Sequence, residues 1–154
     1  MLDQGSKMPD VMVQAMDGTS VRLDALVSCP VVVYFYPKDD TPGCTSEAKD
    51  FSALADAFAE AGVAIVGISK DSPKKHQGFT ARHDLRFPLV TDADGSVCEA
   101  FGTWVEKSLY GRKYMGIDRA TFLIAADGTV ARIWRKVKVK GHADEVLAAA
   151  RALA

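Results

Sequence analysis

The sequence predicts an α/β protein, a central mixed β-sheet flanked by helices on both faces with a β-hairpin at its N-terminal end. Three observations carry that prediction. Two runs, Val31 to Tyr36 and Val63 to Ser69, are continuously apolar or small, as strands covered by helices on both sides must be. Between them, Phe51, Leu54, Ala55 and Phe58 fall at i, i+3, i+4 and i+7, one stripe of an amphipathic helix, and Gly62 stands where such a helix stops. Two Asp-Gly pairs, Asp17-Gly18 and Asp127-Gly128, lie between strand-like runs and mark tight turns.

Taken in order, Val11 to Met16 and Thr19 to Leu23 form the first hairpin. The two buried strands and the helix between them make a β-α-β unit with the usual right-handed crossover. A second helix is predicted over Ser72 to His83, then a strand at Phe87 to Thr91, a turn at Asp92 to Gly95 and a short helix around Val97 to Phe101. Thr121 to Ala125 and Thr129 to Val137 flank the second Asp-Gly turn as a late antiparallel hairpin. An Ala- and Leu-rich helix, His142 to Ala154, closes the chain. That order is the signature of a thioredoxin-like fold. No repeat, low-complexity stretch or Pro/Gly-rich linker interrupts it, so residues 1–154 are expected to form a single domain.

The chain has 154 residues, 48% hydrophobic and 25% charged, which suits one core burying roughly two-thirds of the unfolded surface. A formal net charge of −1 argues against nucleic-acid binding and against a polybasic membrane anchor. Met1 to Asp10 holds no apolar run of signal-peptide length, and Val31 to Tyr36, the longest apolar stretch, is too short to span a bilayer. A cytoplasmic location is therefore expected. Three cysteines, Cys29, Cys44 and Cys98, are odd in number, widely spaced and without a C-x-x-C pair, a poor disulfide or zinc framework. In a reducing compartment, a cysteine kept for chemistry works as a thiolate.

The segment richest in chemistry is Pro37-Lys38-Asp39-Asp40-Thr41-Pro42-Gly43-Cys44, directly after the first buried strand, where ligands bind in parallel α/β units. Thr41 suits an N-cap and Pro42 the first helical position, which puts Cys44 in the first turn among unpaired N–H groups that favour an anion. An unperturbed cysteine titrates near 8.5, so a mostly ionised thiol at neutral pH needs a shift of about two units, roughly 2.7 kcal/mol. A helix terminus supplies about 0.3–1 kcal/mol, at most about 2. A cation is required nearby. Arg119 is the candidate, just ahead of the buried run Thr121 to Ile124 and placed to reach the same sheet end. An opposite charge within about 4–6 Å moves a pKa by about one to three units, and its several donors can also hold a substrate oxygen. The competing readings are plain ones: residues 44, 48, 51, 55 and 58 share a helix face, so Cys44 also fits a buried inert thiol, and Arg119 alone fits a solvated strand end.

Pro37, Thr41 and Cys44 stand as P-x-x-x-T-x-x-C, and this pattern resembles the active-site motif of peroxiredoxins. The run from Tyr34 to Ala48 is similar to the bacterioferritin-comigratory or PrxQ branch. The likeness continues through Phe101 to Ser108, Tyr110 to Ile124 and Val139 to His142, nearly the whole chain. The resemblance implies a thioredoxin-dependent or other thiol-dependent peroxidase of antioxidant defence, acting on hydrogen peroxide and organic hydroperoxides without a cofactor. It makes Cys44 the peroxidatic nucleophile and gives Thr41 a hydrogen bond to sulfur and substrate. Arg119 polarises both, and Pro37 shields the pocket. Pro42 and Gly43 fall inside the motif, and Glu47, one turn beyond Cys44, matches a frequent family glutamate. An exposed helix carboxylate is the alternative for Glu47, since a negative charge beside a thiolate opposes activation. Oxidation would leave a sulfenic acid that condenses with a second thiol.

The resolving step departs from the family pattern. The position five residues after the nucleophile is Lys49, and Ser72 to His83, where another subgroup carries its resolving cysteine, has none. Cys29 lies at the far end of the strand leading to Cys44, roughly 20 Å away against a limit near 7 Å for a bridge. Cys98, beside Val97 and Phe101, is either the resolving partner or a small buried hydrophobe. An external thiol from thioredoxin, glutaredoxin or a small molecule is the leading expectation, acting on a monomer, with a dimer the alternative. His76, His83 and His142 lack metal-ligand spacing, so no metal is expected. Lys136, Lys138 and Lys140 alternate with Val137 and Val139 as a strand with one solvated face. Trp104 and Tyr110 to Tyr114 either line the approach to the site or pack as aromatics. Two rival functions are a disulfide reductase, which lacks its C-x-x-C, and a binding or chaperone module that keeps the fold without turnover.

Overall fold

A computed structural model describes residues 2–153. The chain opens with β1 (Met12–Gln14) and β2 (Ser20–Arg22), an antiparallel pair turned at Asp17-Gly18, where Asp17 accepts from the Thr19 N–H. A four-residue helix, α1 (Leu23–Leu26), follows; it is too short to show a repeat in sequence. Next come β3 (Val31–Phe35), α2 (Pro42–Ala53), α3 (Ala55–Glu60) and β4 (Ala64–Ser69). The single helix expected across Phe51 to Phe58 is thus two, because the backbone turns at Leu54 (φ −96, ψ 6), yet Phe51 and Phe58 still enter the same core.

The second half holds α4 (Pro73–His83), β5 (Leu89–Thr91), α5 (Ser96–Phe101), β6 (Trp104–Leu109), β7 (Arg112–Ile117), β8 (Ala120–Ile124), β9 (Val130–Trp134) and α6 (His142–Ala152). Ser72 caps α4 through the Lys75 N–H, and Asp92 caps α5, its two carboxylate oxygens accepting from the Val97 and Cys98 N–H groups. The last helix stops at Ala152, short of the expected end; Ala154 lies outside the described residues. The late hairpin is also shorter than expected. Lys136 takes φ +49, a left-handed conformation that ends the extended run, so Lys136, Lys138 and Lys140 do not form a strand face.

Seven strands form one sheet in the order β2-β1-β5-β4-β3-β8-β9. β3, β4 and β5 run parallel, while β8 and β9 add antiparallel on one side and β1 on the other. Strand alternation then sorts the core into two. Val32, Tyr34 and Tyr36 face the layer of α2, α3, α6 and Phe79 of α4. Val31, Val33 and Phe35 face α1 and α5. This is the mixed sheet with helices on both faces that the apolar runs predict. Gly67 in β4 belongs to the first layer's packing, since a Cβ there would stand 2.8–2.9 Å from Leu89 and the Tyr34 ring.

Candidate active site

The end of β3 that leads into α2 gathers the residues singled out by sequence. Thr41 occupies the N-cap with extended backbone (φ −86, ψ 152), Pro42 and Gly43 begin α2, and Cys44 is its third residue. The Thr41 hydroxyl does not cap α2 as a side-chain acceptor; it donates to the Lys38 carbonyl at 2.8 Å. Pro37 is exposed at the mouth of this loop, whereas Cys44 is 2% exposed.

Arg119 arrives from the other side. β8 pairs antiparallel with β3, Phe35 opposite Ala120, so the residue just before β8 stands beside the loop that follows β3. The Arg119 backbone is tied to Val137, whose N–H donates to the Arg119 carbonyl at 2.9 Å. Its guanidinium then bridges two groups of α2. Nη2 donates to Cys44 Sγ at 3.3 Å, and Nη1 donates to Glu47 Oε1 at 2.7 Å. Gly43 makes room for this approach, since a Cβ there would lie 3.2 Å from Nη2. A guanidinium donating to sulfur at this range stabilises a thiolate more than a thiol, because only the anion adds a full Coulomb attraction.

Glu47 differs from the exposed carboxylate weighed in sequence. It is 1% exposed, and burial pushes its carboxyl up to about 7 against the pull of Arg119. One oxygen bonds Arg119, and the other, Oε2, is buried with no hydrogen-bond partner among the described residues, as is the neighbouring Tyr34 hydroxyl. Glu47 therefore orients the guanidinium while adding less negative charge beside the sulfur than a solvated carboxylate would.

Sequence reasoning did not reach Lys107. It lies on β6, partly buried, and its ammonium is pushed down by burial and by Arg119, while Asp118 and Cys44 pull the other way. The β6–β7 hairpin that presents it turns at Tyr110-Gly111, both at positive φ (+52 and +76), as a type I′ turn requires. Tyrosine is a rare residue for the first of those positions, which hid the hairpin. Trp104 and Tyr114, weighed as lining or packing, stand on this hairpin, and Lys70 Nζ lies 4.6 Å from the Trp104 ring centroid.

Cys98, weighed in sequence as a resolving partner or a small buried hydrophobe, packs in the core. It belongs to the core on the α1 and α5 side of the sheet, whereas Cys44 belongs to the core on the opposite side. It is fully buried, and burial together with Asp92 raises its thiol to about 12. All three cysteines are unbridged.

Behind the site, His142 at the start of α6 is buried with Nε2 2.8 Å from Thr121 Oγ1, and burial pushes its ring down to about 4. Once unfolded, that ring takes a proton near its ordinary 6.5, so stability falls as pH drops from about 6.5 towards 4. Glu47 works in the opposite direction, because its raised pKa lets the fold keep a proton that the unfolded chain releases between about 4.5 and 7. The stability difference between the protein and His142→Gln, from urea unfolding, is expected to change by about 2 kcal/mol between pH 7 and pH 5. A difference independent of pH would contradict the neutral buried ring.

The fold and this cysteine–arginine pair define a thioredoxin-like protein with a candidate thiol site at a helix start. The sequence pattern of the AhpC/TSA family matches residues 4–133, and the chain belongs to that family. Peroxiredoxin Bcp of Xanthomonas campestris is 49% identical over 143 residues, covering 93% of this chain and 89% of that protein. Peroxiredoxin Bcp of Bacillus subtilis is 44% identical over 146 residues, covering 95% and 93%. Among solved structures, a cysteine-to-serine variant of Xanthomonas campestris peroxiredoxin Q superposes with a TM-score of 0.90 at 46% identity over 99% of this chain and all of that one. Xanthomonas campestris bacterioferritin comigratory protein, studied for alkyl peroxide reduction, gives a TM-score of 0.88 at 46% identity, covering 97% and 98%.

Proposed function

We propose that this chain is a thiol-dependent peroxidase that reduces hydrogen peroxide and organic hydroperoxides at Cys44, as one cytoplasmic thioredoxin-like domain. The observation that carries the reading is the Arg119 guanidinium shared between Cys44 Sγ and Glu47. The Cys44 thiolate attacks one peroxide oxygen, the O–O bond breaks, and the leaving oxygen takes a proton to depart as water or an alcohol. Sulfur keeps the other oxygen as sulfenic acid. Arg119 stabilises the charge that moves from sulfur to the leaving oxygen, and Thr41 orients the peroxide. Since its single proton goes to Lys38, the Thr41 oxygen meets the substrate as an acceptor of the peroxide O–H. Pro37 and Pro42 bound the mouth of the site.

An external thiol then condenses with the sulfenic acid, releasing water, and a second thiol reduces the mixed disulfide. Thioredoxin, glutaredoxin and small thiols all fit this chemistry. Support for external resolution comes from the sheet standing between Cys44 and Cys98 and from an α4 without cysteine. The test uses purified protein, substoichiometric hydrogen peroxide and intact mass. The expected product is the chain plus one oxygen, with peroxide consumed and the Cys44 thiol lost in step. A chain lighter by two hydrogens would overturn external resolution, and unconsumed peroxide would overturn the function.

A further inference from the structure

We propose that Asp71 is a positioning residue for peroxide reduction, acting through one peptide group to set the direction of the Thr41 hydroxyl. The inference rests on the reading above in which Thr41 meets the peroxide. The peptide joining Lys38 to Asp39 is held at both ends. Its N–H donates to Asp71 Oδ2 at 2.8 Å, and its carbonyl accepts from Thr41 Oγ1 at 2.8 Å. A peptide group is planar, so anchoring the N–H also fixes where the carbonyl points. The carboxylate further polarises that peptide and makes the carbonyl a better acceptor. With the hydroxyl proton drawn to Lys38, the Thr41 lone pairs face outward.

Asp71 is suited to this because it is itself immobilised. Its Oδ2 also accepts from Ser69 Oγ at 2.8 Å, and its backbone carbonyl accepts from Thr91 Oγ1 at 2.6 Å. Its side chain is only 7% exposed. The Asp39 side chain locks the same loop from beneath, taking the Tyr36 hydroxyl at 2.5 Å and lying 2.7 Å from His76 Nδ1. His76 is fully buried, with Nε2 3.1 Å from the Val90 carbonyl. Rotating the Lys38–Asp39 peptide would break its N–H bond to Asp71 and move the carbonyl that accepts from Thr41, against a loop held by the Asp39 side chain. Asp71 has no hydrogen bond to Cys44, so its influence falls on the oxygen that orients the substrate and not on the sulfur.

Two reactions of Cys44 separate these effects: oxidation by hydrogen peroxide, which uses Thr41, and alkylation by iodoacetamide, which reads thiolate availability. Asp71→Ala is expected to slow oxidation about ten-fold, the scale of one lost hydrogen bond, with alkylation unchanged within about two-fold. In a Thr41→Val background, Asp71→Ala should add no further loss of oxidation rate. Asp71→Asn keeps an oxygen acceptor and should recover most of the rate. Ser69→Ala, which removes the hydroxyl that donates to the Asp71 carboxylate and accepts from the Asp71 N–H, should show the same pattern more weakly and keeps the test open if Asp71→Ala does not fold. Equal slowing of oxidation and alkylation, or the same loss with and without Thr41, would overturn the proposal. If Thr41→Val oxidises at the wild-type rate, the role of Thr41 falls first and this inference with it. If Thr41→Val is slow and Asp71→Ala is not, only the positioning role fails.

Discussion

Cys44→Ser is expected to abolish peroxide consumption, lowering turnover with a thiol reductant by a factor on the order of 10⁴ or more. An alcohol in the same place has no accessible anion at neutral pH, and its oxygen cannot take up a second oxygen and be reduced again by thiols. Arg119 and the start of α2 cannot compensate, because they stabilise charge on a nucleophile that is no longer present. The substitution trades one buried atom for a smaller one beside a guanidinium that can still donate to it, so the fold should survive. Cys98→Ala is the matched control, on the other side of the sheet, and should turn over like the unmodified protein with an external thiol. A Cys44→Ser protein that consumes peroxide at the unmodified rate would remove Cys44 as the nucleophile. A Cys98→Ala protein that stalls after one turnover would restore internal resolution.

What the sequence made legible follows from how local each signal is. Val31 to Tyr36, the stripe from Phe51 to Phe58 and the two Asp-Gly turns each declare themselves within a dozen residues, and each appears in the fold. The lead-in Thr41-Pro42-Gly43 is likewise a local capping signal, and it does set Cys44 in the first turn of α2. The β6–β7 hairpin was not legible because its turn uses a tyrosine at positive φ in place of the usual Asn or Asp. Glu47 read as an ordinary helix carboxylate because burial is a tertiary fact, decided by Arg119 arriving from 72 residues away. Asp39, Asp71 and His76 are equally silent in sequence. Their meaning lies in contacts across 32 and 37 residues, which no periodicity or motif encodes.

Arg119→Met is expected to slow oxidation of Cys44 by hydrogen peroxide by about 10²–10³-fold, the usual loss when one donor to developing charge is removed. Two effects combine in that figure. The contact at 3.3 Å from Nη2 to sulfur sets a positive charge beside the nucleophile, and the same group would stabilise the leaving oxygen as the O–O bond breaks. Alkylation by iodoacetamide reports only the first, so it should slow less than oxidation at neutral pH. Lys107 also feels the charge on Cys44, which limits the loss. The substitution also strips Glu47 of the partner it holds at 2.7 Å, leaving a buried carboxyl that must take a proton or remain unsatisfied. Arg119→Met combined with Glu47→Gln removes that strain and separates structure from chemistry. If the arginine works at the reacting atoms, the double variant gains stability and stays slow. If the double variant oxidises at the unmodified rate, Arg119 serves only to neutralise Glu47 and leaves the mechanism.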